Sequence, residues 1–194
     1  MKELISSINK LKESEVSKLI KTRMNEFKNN KDLFNELCFC ILTANFNAER
    51  SIKIQNNIKD FSKLTLAELK NTLKKHGHRY PNKRAEYIME ARKHKTCLKN
   101  NCTREWIVKN VKGLGMKEAS HFLRNVGFTD YAIIDFHIID LLVKHKIIKQ
   151  PKTLTPKTYL EIENKLREMG KKVSLNLAEL DLYLWYMETG KILK

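Results

Sequence analysis

The sequence predicts an all-α protein, and three observations carry that reading. Apolar residues recur at helical spacing through most of the 194 residues. Helix-start signals are frequent: Thr65 with Glu68 forms a capping box, and Thr155-Pro156 places a cap just before a proline at the first helical position. No stretch sustains the alternation of a half-buried strand, and prolines, at 3, are too few to interrupt the helices.

Taken in order, residues 2–13 and 15–28 read as two short amphipathic helices, with Ser14 capping the second. Over 32–43, Leu33, Leu37, Cys40 and Ile41 share one face. Asn45-Phe46-Asn47 breaks that helix, and 48–59 resumes with Ile52 and Ile54. The Thr65 capping box opens a helix lasting to about His76, with Gly77 as its stop. Asn82 is expected to cap 83–94, where Ala85, Ile88 and Met89 mark one face, and 96–101 reads as a loop. Residues 104–111 form a short helix, Gly113-Leu114-Gly115 turns, and 116–126 form a second helix that stops at Gly127. A further helix starts near Asp135 and runs to about Ile148. After a loop, Tyr159, Ile162, Leu166 and Met169 repeat at helical spacing behind Pro156. The last helix covers about 175–189, ends at Gly190 and leaves residues 191–194.

Charge narrows the class of partner. Lys and Arg number 38 against 22 acids, a net charge of +16, which suits a polyanion whose counterions such side chains would release. No apolar run approaches the roughly 18 residues that span a bilayer, and the opening MKELISSINKLKES lacks the apolar segment of a signal peptide. Cys38 and Cys40 sit in an apolar helical stretch and read as small core residues. Cys97 and Cys102 do not complete a four-thiolate pattern, so neither a disulfide framework nor an iron–sulfur cluster is expected. The six histidines show no paired-ligand spacing, and no catalytic metal is expected. A reduced intracellular protein fits these counts.

The chemistry concentrates between Trp106 and Asp135. One reading, a dinucleotide-binding turn between two strands, fails because the position three after Gly115 is Glu118 and because no series of parallel strands follows. The other reading is a helix–hairpin–helix. Val111-Lys112-Gly113-Leu114-Gly115 is a tight turn whose glycines permit positive φ and leave the backbone bare. The amides of the turn and of the following helix start can then bind a phosphate, while Leu114 plugs the two helices together. Lys117 just past the turn and Asp135 beyond the second helix add a nucleophile and an acid. Asp130 and Asp140 are the rival acids, one in a loop and one inside a helix.

Residues 111–135 resemble the helix–hairpin–helix, loop and aspartate signature of base-excision DNA glycosylases. The wider chain is similar to the archaeal second family of 8-oxoguanine DNA glycosylases with AP-lyase activity. The segments that carry the likeness are ELCFCILTANFNAE (36–49), GHRYPNKRAEYI (77–88), VKGLGMKEASHFLRNVGF (111–128), AIIDFHI (132–138) and LDLYLWYMETGKILK (180–194), spread over nearly the whole chain. Two departures stand out. The loop before Asp135 has no proline, and Phe136 stands where the family has a basic residue, a departure that bears on a nearby phosphate or base contact and not on the chemistry. The C-terminal four-cysteine cluster of endonuclease III-type relatives is absent.

The resemblance implies a two-lobed glycosylase fold. Residues 30–128 would form a helical barrel lobe containing the helix–hairpin–helix (104–126), and 1–29 with 129–194 a second lobe, with Lys117 facing Asp135 across a cleft. Lys117 would attack C1′ and form a Schiff base, and Asp135 would stabilise charge on the sugar and help deprotonate the lysine. Tyr80 and Trp185 would sandwich the extruded base, with Lys194 reaching the base pocket, and Asn45 would fill the hole left in the duplex. Read as residues alone, Trp185 is a core side chain and Tyr80 an exposed loop aromatic, while Asn45 is equally a helix-terminating residue. Lys112, Gly113 and Gly115 would meet phosphate; Arg79, Lys83, Arg84 and Arg92 are further basic candidates that charge alone cannot rank. A monovalent cation at the hairpin is the one ion expected. The expected partner is double-stranded DNA containing oxidised guanine, met by a monomer in the cytoplasm at the nucleoid and not at a membrane. The alternatives are a related glycosylase for another oxidised base and a non-catalytic helix–hairpin–helix DNA-binding module.

Overall fold

The computed structural model of the chain is described for residues 1–99 and 103–194; Cys102 and the end of the expected 96–101 loop lie outside the described residues. Every regular element among the described residues is helical. They are α1 (Lys2–Lys12), α2 (Glu15–Asn29), α3 (Leu33–Thr43), α4 (Ala48–Asn57), α5 (Leu66–Lys75), α6 (Pro81–Ala91), α7 (Arg104–Asn110), α8 (Met116–Asn125), α9 (Phe136–Lys144), α10 (Pro156–Val173) and α11 (Leu177–Thr189), with 3-10 turns at Arg92–His94 and Cys97–Lys99. None of these helices is long and apolar enough to cross a membrane. The chain divides into two compact units, one of Met1–Asn29 with Gly127–Lys194 and one of Asn30–Val126.

Local capping sets many of the boundaries. Thr65 accepts from the Glu68 amide while Glu68 reaches back to the Thr65 amide, so both halves of the capping box are made. Several boundaries differ from expectation, among them the ends of α4 at Asn57 and of α6 at Ala91, and two have a visible local cause. Helix α6 starts at Pro81 and not after Asn82, because Pro81 takes the first helical position with Tyr80 as its cap. Helix α9 ends at Lys144 and not near Ile148. Lys146 turns left-handed (φ 55°) and the Ile147 amide closes back on Leu142 O at 2.9 Å.

In the 30–126 unit α3 is the core. Leu37 to Leu42 are all fully buried, including Cys38 and Cys40, and α4, α6 and α8 pack around the helix. Burial pushes the Cys38 thiol well up from its ordinary pKa, as suits an inert core residue. Glu36 is the polar exception on α3. Its carboxylate is buried but accepts from Asn125 at 2.7 Å and Asn30 at 3.2 Å, which ties α3 to the end of α8.

In the other unit α10 anchors the chain that leads to Asp135. The Tyr159 hydroxyl donates to Ala132 O at 2.6 Å and accepts from the Ile134 amide at 3.1 Å, and Glu163 accepts from the Ala132 amide at 2.9 Å. Arg167 adds a bond to Asp130 at 3.1 Å. The proline-free loop is therefore held by side chains of α10 that satisfy its buried backbone groups.

Candidate active site

The hairpin forms between α7 and α8. Thr103 caps α7, Leu114 is buried in the turn, and Arg104 donates to Ser120 at 3.3 Å to tie the two helices. Gly113 has φ 87°, and a Cβ there would fall 2.5 Å from the Tyr87 ring, so both conformation and space require glycine. Gly115 caps α8 without a side chain. The first-turn amides of α8 have no intrahelical acceptor, and the amide of the cap residue Gly115 is met by the Glu118 carboxylate at 3.3 Å.

Lys117 is the second residue of α8. Its Nζ lies 3.1 Å from Glu118 Oε1 and its side chain is 32% exposed, so the amine is accessible but starts paired with a carboxylate. Asp135 caps α9, its carboxylate accepting from the Ile138 amide at 3.0 Å. That bond and the α10 anchors fix the carboxylate's position at the start of the helix.

The aromatic candidates have defined neighbours within their units. Tyr80 is 40% exposed, with the Arg79 guanidinium 5.1 Å from its ring centroid. Trp185, on α11, is half-buried. The His137 ring meets it edge-on at 5.3 Å, and its indole Nε1 is buried with no acceptor among the described residues. Phe136, 66% exposed, stacks on His137 at 3.9 Å. Asn45 is exposed in a left-handed turn (φ 56°) after α3, and Lys194 is half-buried beyond the Gly190 stop of α11.

The structure also sorts the basic residues. Arg79 and Lys83 are exposed. Lys112 pairs with Glu90 at 3.0 Å and holds that carboxyl below its usual pKa. Arg84 and Arg92, which charge alone left as phosphate candidates, are directed inward: Arg84 donates to Ala44 O at 2.6 Å, and Arg92 to the carbonyls of Phe61 and Leu64.

A family profile described as 8-oxoguanine DNA glycosylase matches residues 20–175. The chain belongs to the 8-oxoguanine DNA glycosylase family. It is 49% identical to an 8-oxoguanine DNA glycosylase/AP lyase of Korarchaeum cryptofilum, over 99% of this chain and 98% of that one. It is 51% identical to the enzyme of the same description from Methanocaldococcus jannaschii, over 98% and 99%. The crystal structure of the Methanocaldococcus jannaschii 8-oxoguanine glycosylase/lyase in complex with a 15mer DNA containing 8-oxoguanine superposes with a TM-score of 0.95, covering 99% of this chain and all of that one. The all-helical fold is thus that of the family.

Within this glycosylase, three side chains escaped the sequence reading. Glu118 shows in the sequence as the residue that spoils a third glycine, and in the structure its carboxylate returns to the Gly115 amide at the helix start. His137 has no metal-ligand spacing to mark it, yet its place two residues after Asp135 puts it between Phe136 and Trp185. His78 is buried, with Nε2 on Leu42 O at 3.0 Å and Nδ1 accepting the Tyr80 amide at 3.1 Å. Burial lowers its pKa, which keeps the ring neutral and Nδ1 an acceptor. No local pattern in the sequence announces that pair of bonds.

Proposed function

We infer that this chain excises 8-oxoguanine from duplex DNA and then cleaves the strand at the resulting abasic site, with Lys117 as nucleophile and Asp135 as the supporting acid. The observation that carries the reading is the start of α8. A lysine amine stands in the first turn of a helix whose entry is a glycine turn with open amides, in a chain matched to the glycosylase family across residues 20–175.

The hairpin amides take a phosphate beside the lesion, and the target nucleotide leaves the stack. Lys117 passes its proton to Asp135, and its free amine forms a bond to C1′ as the C1′–N9 bond breaks; the base leaves with the bonding pair and takes up the proton from Asp135, which restores the carboxylate. Asp135 stabilises the positive charge that develops on the sugar. The C1′ ammonium passes a proton to O4′ as the C1′–O4′ bond opens, which gives an iminium. Loss of a C2′ proton then expels the 3′-phosphate, and water releases the enzyme from the sugar. Tyr80, Trp185 and Lys194 are assigned to the extruded base, and Asn45, Arg79, Lys112, Gly113 and Gly115 to the duplex. The scheme needs no resident cofactor, since nucleophile and acid are side chains; a monovalent cation between the hairpin carbonyls and the phosphate is the one ion it accommodates. The enzyme acts as a monomer, in the cytoplasm at the nucleoid.

Borohydride trapping tests this directly. A duplex carrying 8-oxoguanine should give a covalent adduct on Lys117, and duplexes carrying oxidised pyrimidines should give less. A stronger adduct with an oxidised pyrimidine would reassign the lesion. Salt-sensitive binding without base release or nicking would reduce the chain to a binding module.

A further inference from the structure

Within the 30–126 unit, one buried side chain reaches both the Asn45 turn and the glycine hairpin. Arg84, in the first turn of α6, is 7% exposed. Its Nη2 donates 2.6 Å to the carbonyl of Ala44, the residue just before Asn45. Its Nη1 lies 3.2 Å from where a Cβ on Gly113 would sit, beside the Tyr87 ring. The same guanidinium stands 5.9 Å from the Tyr80 ring centroid and 5.7 Å from that of Tyr87. Burial draws its pKa down, and Tyr87, Glu118 and Tyr80 act in the opposite sense, so the charge is kept in a largely dry place by its surroundings.

The turn it grips needs holding. Asn45 is at φ 56°, a left-handed conformation that asparagine adopts more readily than other side chains but in which fixed neighbours still set the direction of the turn. His78 supplies a second grip, bonding Leu42 O while its other nitrogen takes the Tyr80 amide, and Phe46 packs on its ring at 4.1 Å. Of the two, only Arg84 is also seen against the hairpin. A planar guanidinium can address two partners in fixed directions at once, which a lysine ammonium cannot.

We propose that Arg84 is a positioning residue that keeps the Asn45 turn in register with the Gly113 hairpin, so that both engage the same duplex. The proposal rests on the assignment of Asn45 and the hairpin to DNA made above. A duplex lesion requires both elements together, whereas a preformed abasic site in a short single strand requires only the hairpin and Lys117.

The test is a double-mutant cycle on two substrates. Arg84→Lys keeps the charge but not the fork; Asn45→Gly removes the side chain and keeps the left-handed turn open to the backbone. Single-turnover release of 8-oxoguanine from duplex should fall on the order of tenfold or more in Arg84→Lys, as for a reacting group displaced by a fraction of an ångström. β-Elimination of the preformed abasic single strand should stay within about twofold. In the Asn45→Gly background, Arg84→Lys should cost less than about threefold more, because the two act through one element. Arg84→Met, which fills similar space without burying a charge, gives the same readings if the lysine variant folds poorly. Equal losses on both substrates, or effects that multiply independently, overturn the proposal while leaving the glycosylase intact. No reaction in the wild-type protein overturns both readings.

Discussion

The two residues assigned to the chemistry stand at two helix starts that are built in opposite ways. Helix α8 opens on Gly115, which has no side chain to cap it, and only the Glu118 carboxylate returns to the Gly115 amide. Helix α9 opens on Asp135, whose own carboxylate caps the Ile138 amide, behind a segment pinned by Tyr159 and Glu163. Both starts present the positive end of a helix. The first leaves its amides to an outside anion and places a mobile amine beside them. The second uses its own side chain as the cap and so holds the carboxylate still. A nucleophile that must travel to carbon and an acid that must not move call for different caps.

Removing either chemical group should break this comparison first. Lys117→Gln should abolish the borohydride adduct and lower β-elimination on the order of 10⁴-fold or more. Thermal unfolding should change by less than about 0.5 kcal/mol, because the residue's ion pair is partly exposed. An adduct of undiminished yield would assign the nucleophile to another lysine. Asp135→Asn comes next. Asparagine caps a helix about as well as aspartate, so the fold should hold within about 1 kcal/mol while base release slows roughly 10²–10³-fold. Duplex affinity should be nearly unchanged. Turnover close to normal would mean that the carboxylate is only a cap.

The elements that short-range chemistry sets were legible in the sequence. The Thr65 capping box, the Thr155-Pro156 start and the glycine stops at Gly77 and Gly190, both left-handed, each depend on residues within one turn. The α9 stop was not legible, since a lysine and not a glycine adopts the left-handed turn there. For the candidate site, the hairpin, Lys117 and Asp135 form a contiguous pattern and could be singled out by spacing. What the other side chains do could not be read the same way. Arg84 and Arg92 look like any exposed base in the sequence; their partners lie 40 and about 30 positions away and come near only when α6 packs in the fold. His78 and Glu36 are equally silent until long-range contacts supply their partners.

Gly113→Ala should sharpen the comparison by damaging the bare turn without touching either chemical group. Alanine would have to adopt φ 87° with its Cβ 2.5 Å from the Tyr87 ring. The variant should lose about 1–3 kcal/mol of stability. Duplex binding should weaken, whereas the Asp135 cap, in the other unit, is left intact. Unchanged affinity together with lowered stability would show that the turn supports the fold and not the DNA.

The smallest effect is the most pointed, because it turns the first kind of helix start into the second. Gly115 has φ −97°, which any residue adopts, and a Cβ there meets only Glu118 Oε2, at an ordinary 3.5 Å. Gly115→Asn should therefore be accommodated, and a side-chain cap in place of glycine should raise stability by a few tenths of a kcal/mol at about the level known for such exchanges. The same cap would occupy the amides assigned to phosphate. Duplex affinity should fall several-fold, and the slope of log K against log salt should shrink by about 0.9, the loss of one phosphate contact. A more stable protein that binds DNA less well would separate the two uses of a helix start in one residue. A more stable protein that binds equally well would mean that the open amides of α8 are not where the phosphate sits.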